Sequence, residues 1–158
     1  MSVEMTRKEI DEFLSSQWIG VLSMKDDDGT YGIPIPYYYD GKTMNFAMLI
    51  GGKAIKAIMR NTDVCYTVFS TFEDPESSEK RCWKSVIAKG KMERVAKKEE
   101  LIYLLDLMEE HFKKLIEDTK GDTDEAFAQY KKGLLSNPNE SNLFKLHIKE
   151  ISGRKFGM

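Results

Sequence analysis

The sequence predicts a mainly β domain, a β-barrel with peripheral helices. Three observations predict it. Short runs rich in β-branched and aromatic residues recur along the chain, each closed by turn residues. Helical periodicity is confined to a few segments that lie around those runs. No internal repeat or biased linker divides the chain, so a single domain spanning residues 1–158 is expected.

The elements follow in order. Thr6 with Glu9 fits a capping box, and Ile10, Phe13 and Leu14 recur behind it at helical spacing. "QWIGVLSM", Gln17 to Met24, reads as a strand that ends in the turn "KDDDGT". The next run, "YGIPIPYYYD", is aromatic and β-branched but contains Pro34 and Pro36. Proline cannot donate to a ladder, so this strand belongs at a sheet edge or faces something other than a neighbouring strand. Its three tyrosines, Tyr37, Tyr38 and Tyr39, are expected to alternate between core and a wet face. Asp40-Gly41 then turns the chain into "KTMNFAM".

A short helix follows "LIGG", and Val64 to Ser70 reads as a strand. "TFEDPESSEKR" is polar and reads as an exposed loop. "CWKSVIAKGKMERVA" reads as a long strand bulged near Gly90. The clearest helix covers Lys97 to Asp118, with an apolar stripe of Leu101, Leu104, Leu105, Met108, Phe112 and Leu115. A second helical patch, Thr123 to Leu134, leads through "SNPNESN" to a last strand, "LFKLHIKEISG". There Leu143, Lys145, His147 and Lys149 alternate with Phe144, Leu146, Ile148 and Glu150.

Composition narrows the function. A net charge of -2 argues against a general nucleic-acid binder. No apolar run is long enough to span a bilayer, and the charged start "MSVEMTRKEIDEFL" does not read as a secretory signal. Cys65 and Cys82 are too far apart for a metal knuckle and are expected as reduced thiols of a cytoplasmic protein. Neither has a neighbouring base, so nucleophilic catalysis has little support. His111, between charged residues, reads as a solvated side chain, and His147 as a surface histidine, with haem ligation as its sharper alternative.

The stretch "LIGGKAIKAIMRN" holds the parts of an anion cradle. A helix N-terminus offers unpaired N–H groups and partial positive charge. Glycine lets an anion approach the backbone closely, and Lys53 adds a full charge in the first turn. Gly-Gly before a helix is also an ordinary turn, and a lone lysine an ordinary surface residue.

Four blocks in order carry a family resemblance: "WIGVLSMKDDDGTYGIPIPYYYDGKTMNFAM", "GGKAIKAIMRNTDVCYTV", "CWKSVIAKGKMERVAKKEE" and "EISGRKFG". Together they resemble the flavin-binding split β-barrels of the pyridoxamine-phosphate-oxidase-like superfamily, nearest to its nitroimidazole-resistance and general-stress flavoproteins. The resemblance covers nearly the whole chain. It implies a homodimer that binds flavin mononucleotide (FMN) in a groove between subunits. Ile33, Pro34, Ile35 and Pro36 match the strand whose backbone lies along the isoalloxazine ring. Phe46, Ala47 and Met48 match the strand end that passes the ring and ribityl chain, and Gly52 and Lys53 match the segment that meets the phosphate. Ser85 matches a residue that reaches flavin from the partner subunit, with Trp83 and Lys84 flanking it.

Departures from the family's pattern refine these expectations. Gly52 and Lys53 stand where pyridoxamine-phosphate oxidases proper have two adjacent cations, and "ISGRKFGM" lacks their arginine- and histidine-containing segment. Oxidation of pyridoxamine phosphate is therefore not expected. Ala47 replaces a histidine common in nitroimidazole-resistance proteins, which puts their nitroreduction route in doubt. The resemblance then implies an FMN-dependent oxidoreductase that passes electrons from a nicotinamide or other donor to a small acceptor, with no metal and no assignable catalytic acid or base. A non-catalytic flavin carrier or stress sensor, a haem-binding barrel using His147, and deazaflavin in place of FMN stand as alternatives.

Overall fold

The computed structural model describes residues 1–49, 51–74, 76–116 and 123–157, and side chains within these ranges except at 78, 112–116 and 123–124. Its elements run β1 (Ser2–Glu4), α1 (Arg7–Ser16), β2 (Ile19–Asp26), β3 (Gly29–Pro36), β4 (Tyr38–Tyr39), β5 (Thr43–Ala47), α2 (Lys53–Arg60), β6 (Asp63–Asp74), β7 (Ser77–Arg94), α3 (Lys98–Ile116), α4 (Thr123–Ser136), a 3₁₀ turn (Pro138–Glu140) and β8 (Leu143–Phe156).

The strands form one antiparallel sheet in the order β3-β2-β6-β7-β8-β5-β4, and β1 adds to β8. Prolines Pro34 and Pro36 sit on β3, which pairs with β2 alone, so their missing donors fall on an edge strand as their chemistry requires. The run "YGIPIPYYYD", expected as one strand, is two. β3 ends at Pro36 and β4 begins at Tyr38, yet these strands are opposite ends of the sheet path. One residue, Tyr37, therefore bridges the two ends, and the sheet must curl to bring them together. The result is a split β-barrel, with helices at its periphery.

The expected loop "TFEDPESSEKR" is a second difference. β6 continues to Asp74 and β7 starts at Ser77, making a long hairpin in which Phe72 faces Cys82 and Glu73 faces Arg81. Its polar composition reflects the exposure of the hairpin, and opposite charges face one another across it. The bulge near Gly90 is present, with the β7–β8 register shifting between Lys89 and Gly90. A Cβ at Gly90 would collide with the His147 carbonyl oxygen, which explains glycine at this place. β8 runs beyond the expected "EISG" to Phe156.

Two cores hold the fold. The main one fills the inside of the curled sheet with Leu22, Met24, Met44, Phe46, Tyr66, Val68, Val86, Ala88 and Leu146. Helix α1 adds Ile10, Phe13 and Leu14 to it, and α2 adds Ala54, Ala57 and Ile58. The Thr6 hydroxyl caps α1 by accepting the Glu9 N–H at 3.2 Å. The Glu9 carboxylate does not complete the reciprocal box; it pairs with Lys155 at 3.0 Å.

The second core lies on the other side of β4, β5 and the start of β8. Tyr38 and Leu143 meet Leu101, Leu104, Leu105 and Met108 of the α3 stripe, together with Leu134 of α4. Burying each of those leucines is worth about 1.5–3 kcal/mol. Phe112 and Leu115 of the predicted stripe, and the helix end expected at Asp118, lie outside the described residues or side chains. Tyr38 is thus not on a wet face; it is buried between sheet and helix, while Tyr37 sits in the main core.

Candidate functional site

Half of the sheet's outer face is covered by α3 and α4, and the other half is bare among the described residues. The antiparallel register identifies the bare half. Pro34, Val21, Thr67, Ile87 and Ser152 oppose one another in one row across β3, β2, β6, β7 and β8. Residues two along each strand share that face. Ile19, Phe69, Trp83 and Phe156 join Ile87 there, all at least 36% exposed, with Phe69 at 63%. Trp83 stacks on Phe156 with ring centroids 5.8 Å apart. Exposed aromatic and aliphatic side chains gathered on one sheet face, with Thr67, Ser85, Ser152 and Arg154 among them, mark a binding surface.

The predicted site residues divide between the two faces. Pro34 and Pro36 on β3, and Trp83 and Ser85 on β7, point to the bare side, with β2 and β6 between them. Ile33 and Ile35 alternate to the inside, where Ile35 is buried. Phe46 and Met48 are core residues, and Ala47 packs toward the second core. The Asn142 side-chain amide donates to the Met48 carbonyl at 2.8 Å, and the Met48 N–H donates to the Asn142 carbonyl at 2.8 Å. This strand end is therefore rigidly held. Lys84 faces inward, with its ammonium 5.4 Å from the Phe72 ring centre, beside a 240 Å³ cavity shared with Glu9, Phe13 and Lys155. The residues do not converge on one pocket of one chain.

Gly52 and Lys53 form a separate corner. Gly51 adopts φ 74°, the left-handed turn that only glycine takes freely, and Gly52 is the N-cap of α2 with no side-chain capping bond. Lys53 reaches across to the β2–β3 hairpin, where its Nζ lies 3.1 Å from Asp26 Oδ2 at the end of β2 and 4.7 Å from the ring centre of Tyr31 on β3. The hydrogen bond from Lys53 holds the Asp26 carboxyl below its ordinary range, and the same bond raises the Lys53 ammonium. Asp26 and Tyr31 were legible in sequence only as turn and strand residues. The cation spacing Lys53, Lys56, Arg60, which puts three charges on one helix face opposite "DDD", was the available signal.

A cavity of about 390 Å³ opens on the outer face near the Gly90 bulge and is lined by Ser23, Cys65, Lys25, Lys89 and Lys149 among others. None of the predicted site residues lines it. Cys65 is half-buried there, and Cys82 is buried with its Sγ 3.2 Å from the Gly157 carbonyl oxygen. His147 is exposed, with its Nε2 3.7 Å from Glu93. His111 is not simply solvated: its ring contacts Tyr38 edge-on at 5.6 Å and its Nδ1 lies 3.0 Å from the Leu107 carbonyl. Among the described residues, no helix is long and apolar enough to cross a membrane.

Comparison with known proteins places this architecture. The family model described as pyridoxamine 5'-phosphate oxidase matches residues 6–155. The chain belongs to the pyridoxamine 5'-phosphate oxidase-like family. Solved structures with the same fold include a candidate 5-nitroimidazole antibiotic resistance protein from Bacteroides thetaiotaomicron (19% identity, 99% of this chain and 88% of that one, TM-score 0.72). An FAD-binding protein from Mesorhizobium loti matches at 20% identity over 99% of both chains, with TM-score 0.66. An FAD and haem binding protein from Mycobacterium smegmatis matches at 13% identity over 99% of this chain and 74% of that one, with TM-score 0.69. A search of curated protein sequences returned no match. At these identities the likeness establishes the split barrel of the pyridoxamine 5'-phosphate oxidase-like family, and the function rests on the chain's own residues.

Proposed function

We propose that this chain is a flavoprotein that binds FMN between the subunits of a homodimer and acts as an oxidoreductase toward a small acceptor. The observation that carries the reading is the bare apolar sheet face, to which Pro34, Pro36, Trp83 and Ser85 all point. Two such faces brought together would form a flat, largely apolar slot suited to a ring system, and would let β7 of one subunit meet β3 of the other. The residues present fit the cofactor in kind. The Gly52 N–H is spent on the Leu49 carbonyl at 3.1 Å, but the first turn of α2 from Lys53 onward and the Lys53 side chain offer N–H groups and a cation to a phosphate, and the Trp83 indole offers a ring to cover flavin. FAD-binding relatives with the same fold support a flavin as the ligand.

When bound, flavin supplies the hydride and electron transfer, and the protein supplies placement and electrostatics. Pro34 and Pro36 would present a donor-free edge to the ring, and the Ser85 hydroxyl would hydrogen-bond it from across the interface. Lys53 would anchor the phosphate.

The deciding experiment is the visible spectrum of the purified protein before and after addition of FMN and desalting. A two-banded flavin spectrum that survives desalting supports the reading. A protein that retains no flavin overturns it, and a Soret band would redirect the assignment to haem. Reduction of the bound flavin by a nicotinamide donor, followed by reoxidation with an added acceptor, separates an enzyme from a carrier.

A further inference from the structure

We propose that Asp26 is an internal competitor for the ligand phosphate at Lys53, so that removing its charge tightens the binding of FMN but not of riboflavin. The proposal rests on the reading of Lys53 as the phosphate anchor. It starts from an opposition of charges that the fold creates. The β2–β3 turn carries Asp26, Asp27 and Asp28, and the facing side of α2 carries Lys53, Lys56 and Arg60. These six residues and Ala57 line a cleft of about 140 Å³. Lys53 pairs with Asp26 at 3.1 Å and Arg60 pairs with Asp27.

The first turn of α2 has no acidic residue of its own, although a helix N-terminus favours one. Asp26 supplies that negative charge from the neighbouring strand. It therefore holds the ammonium that a phosphate monoester would need. Such a phosphate carries about -2 charge near neutral pH. Bound at Lys53, it would bring its charge up against the Asp26 carboxylate that Lys53 now holds at 3.1 Å, and like charges repel. Either Lys53 turns from the carboxylate to the ligand, or the ligand binds in the presence of an unfavourable charge. Both routes place the Asp26 charge in the FMN affinity. Lys53 keeps 55% of its side-chain surface exposed, so the turn requires no repacking of the core. Riboflavin has the same ring and ribityl chain without the phosphate and is blind to this competition.

The test measures the dissociation constants of FMN and riboflavin, by quenching of flavin fluorescence at low salt, in the full-length chain and in Asp26→Asn and Lys53→Ala. Asparagine is chosen because Asp26 Oδ1 accepts the Asp28 N–H at 2.8 Å, a bond an amide oxygen also accepts. Asp26→Ser serves as a second variant should the first fail to fold, with circular dichroism as the check. Removing the charge from a pair whose Lys53 end is 55% exposed and whose Asp26 end is 11% exposed is expected to change affinity roughly two- to five-fold. The expected result is therefore FMN binding about that much tighter in Asp26→Asn, riboflavin binding unchanged, and loss of the preference for FMN over riboflavin in Lys53→Ala. If Lys53→Ala loses that preference while Asp26→Asn binds FMN equally or more weakly, Asp26 is no competitor and the inference is overturned with the phosphate anchor intact. If Lys53→Ala keeps its preference for FMN, the anchor itself is wrong and the inference falls with it.

Discussion

The Tyr66 hydroxyl donates a hydrogen bond to the Ile35 carbonyl at 2.5 Å, tying β6 to the edge strand β3 across the strand between them. Tyr66 is fully buried, and its ring meets Phe46 at 4.9 Å and Tyr37 at 5.5 Å. The bond satisfies a carbonyl at the place where the sheet turns toward Tyr37. Tyr66→Phe keeps the ring and removes only the donor, leaving the Ile35 oxygen without this partner. A loss of about 1–3 kcal/mol is expected, read as a lower urea midpoint with unchanged slope. An unchanged midpoint would mean that the Ile35 oxygen finds another donor.

Much of this geometry was legible in the sequence where one residue type admits one physical solution. Pro34 and Pro36 called for an edge or for something other than a neighbouring strand beside them, Thr6 and Glu9 for a helix start, and Gly90 for a bulge. The leucine stripe of α3 required an apolar surface to cover. Legibility failed where the answer depends on a distant partner. Alternation along "YGIPIPYYYD" gives the face of each residue but does not show that the chain changes sheet edges at Tyr37. It equally conceals that Tyr38 meets a helix. The polarity of "TFEDPESSEKR" reports exposure, which a protruding hairpin shares with a loop. For the candidate site, spacing placed Lys53 at a helix start, but its pairing with Asp26 arises only when the β2–β3 turn folds over α2.

Tyr37 and Tyr66 make the fold sensitive to alkali. Burial pushes both phenols well above the ordinary tyrosine value of about 10. The folded state therefore keeps two protons that the unfolded chain releases first. Their contribution to stability is intact below about pH 10 and is lost as pH rises toward the folded-state values. Urea midpoints should fall from about pH 10 upward, and phenolate absorbance should show a late phase that coincides with unfolding. A midpoint that stays level to about pH 11.5 would mean that these hydroxyls ionise in place.

Gly90→Ala tests the bulge. The added methyl meets the His147 carbonyl, which is backbone and cannot swing aside. Either β7 and β8 separate locally or the register shift moves. A destabilisation of about 1–3 kcal/mol is expected, with hydrogen exchange quickened for residues on both sides of the Lys89–Gly90 shift. Gly133→Ala is the control, because a Cβ there has open space on α4 and replaces a poor helix former. Equal stability of the Gly90 variant and the parent would show that the two strands tolerate a wider bulge.

Phe69→Lys tests whether the bare sheet face is a subunit interface. Phe69 projects from the outer face beside Thr67 and opposite Ser85, and is 63% exposed in the single chain. Its replacement removes little internal packing, so the stability of an isolated chain should move by no more than about 0.5 kcal/mol. In a homodimer built on this face the same lysine is carried into the apolar centre of an interface of about 800 Å² per partner, once from each subunit. Burial of the unpaired ammonium is costly there, and both copies carry the same charge. Light scattering should find the parent as a dimer and the variant as a monomer, with far-ultraviolet circular dichroism unchanged. Flavin uptake should fall in parallel, because Ser85 then has no neighbouring subunit to reach. A variant that remains dimeric at the same concentrations would move the interface elsewhere and leave the apolar face in need of another occupant.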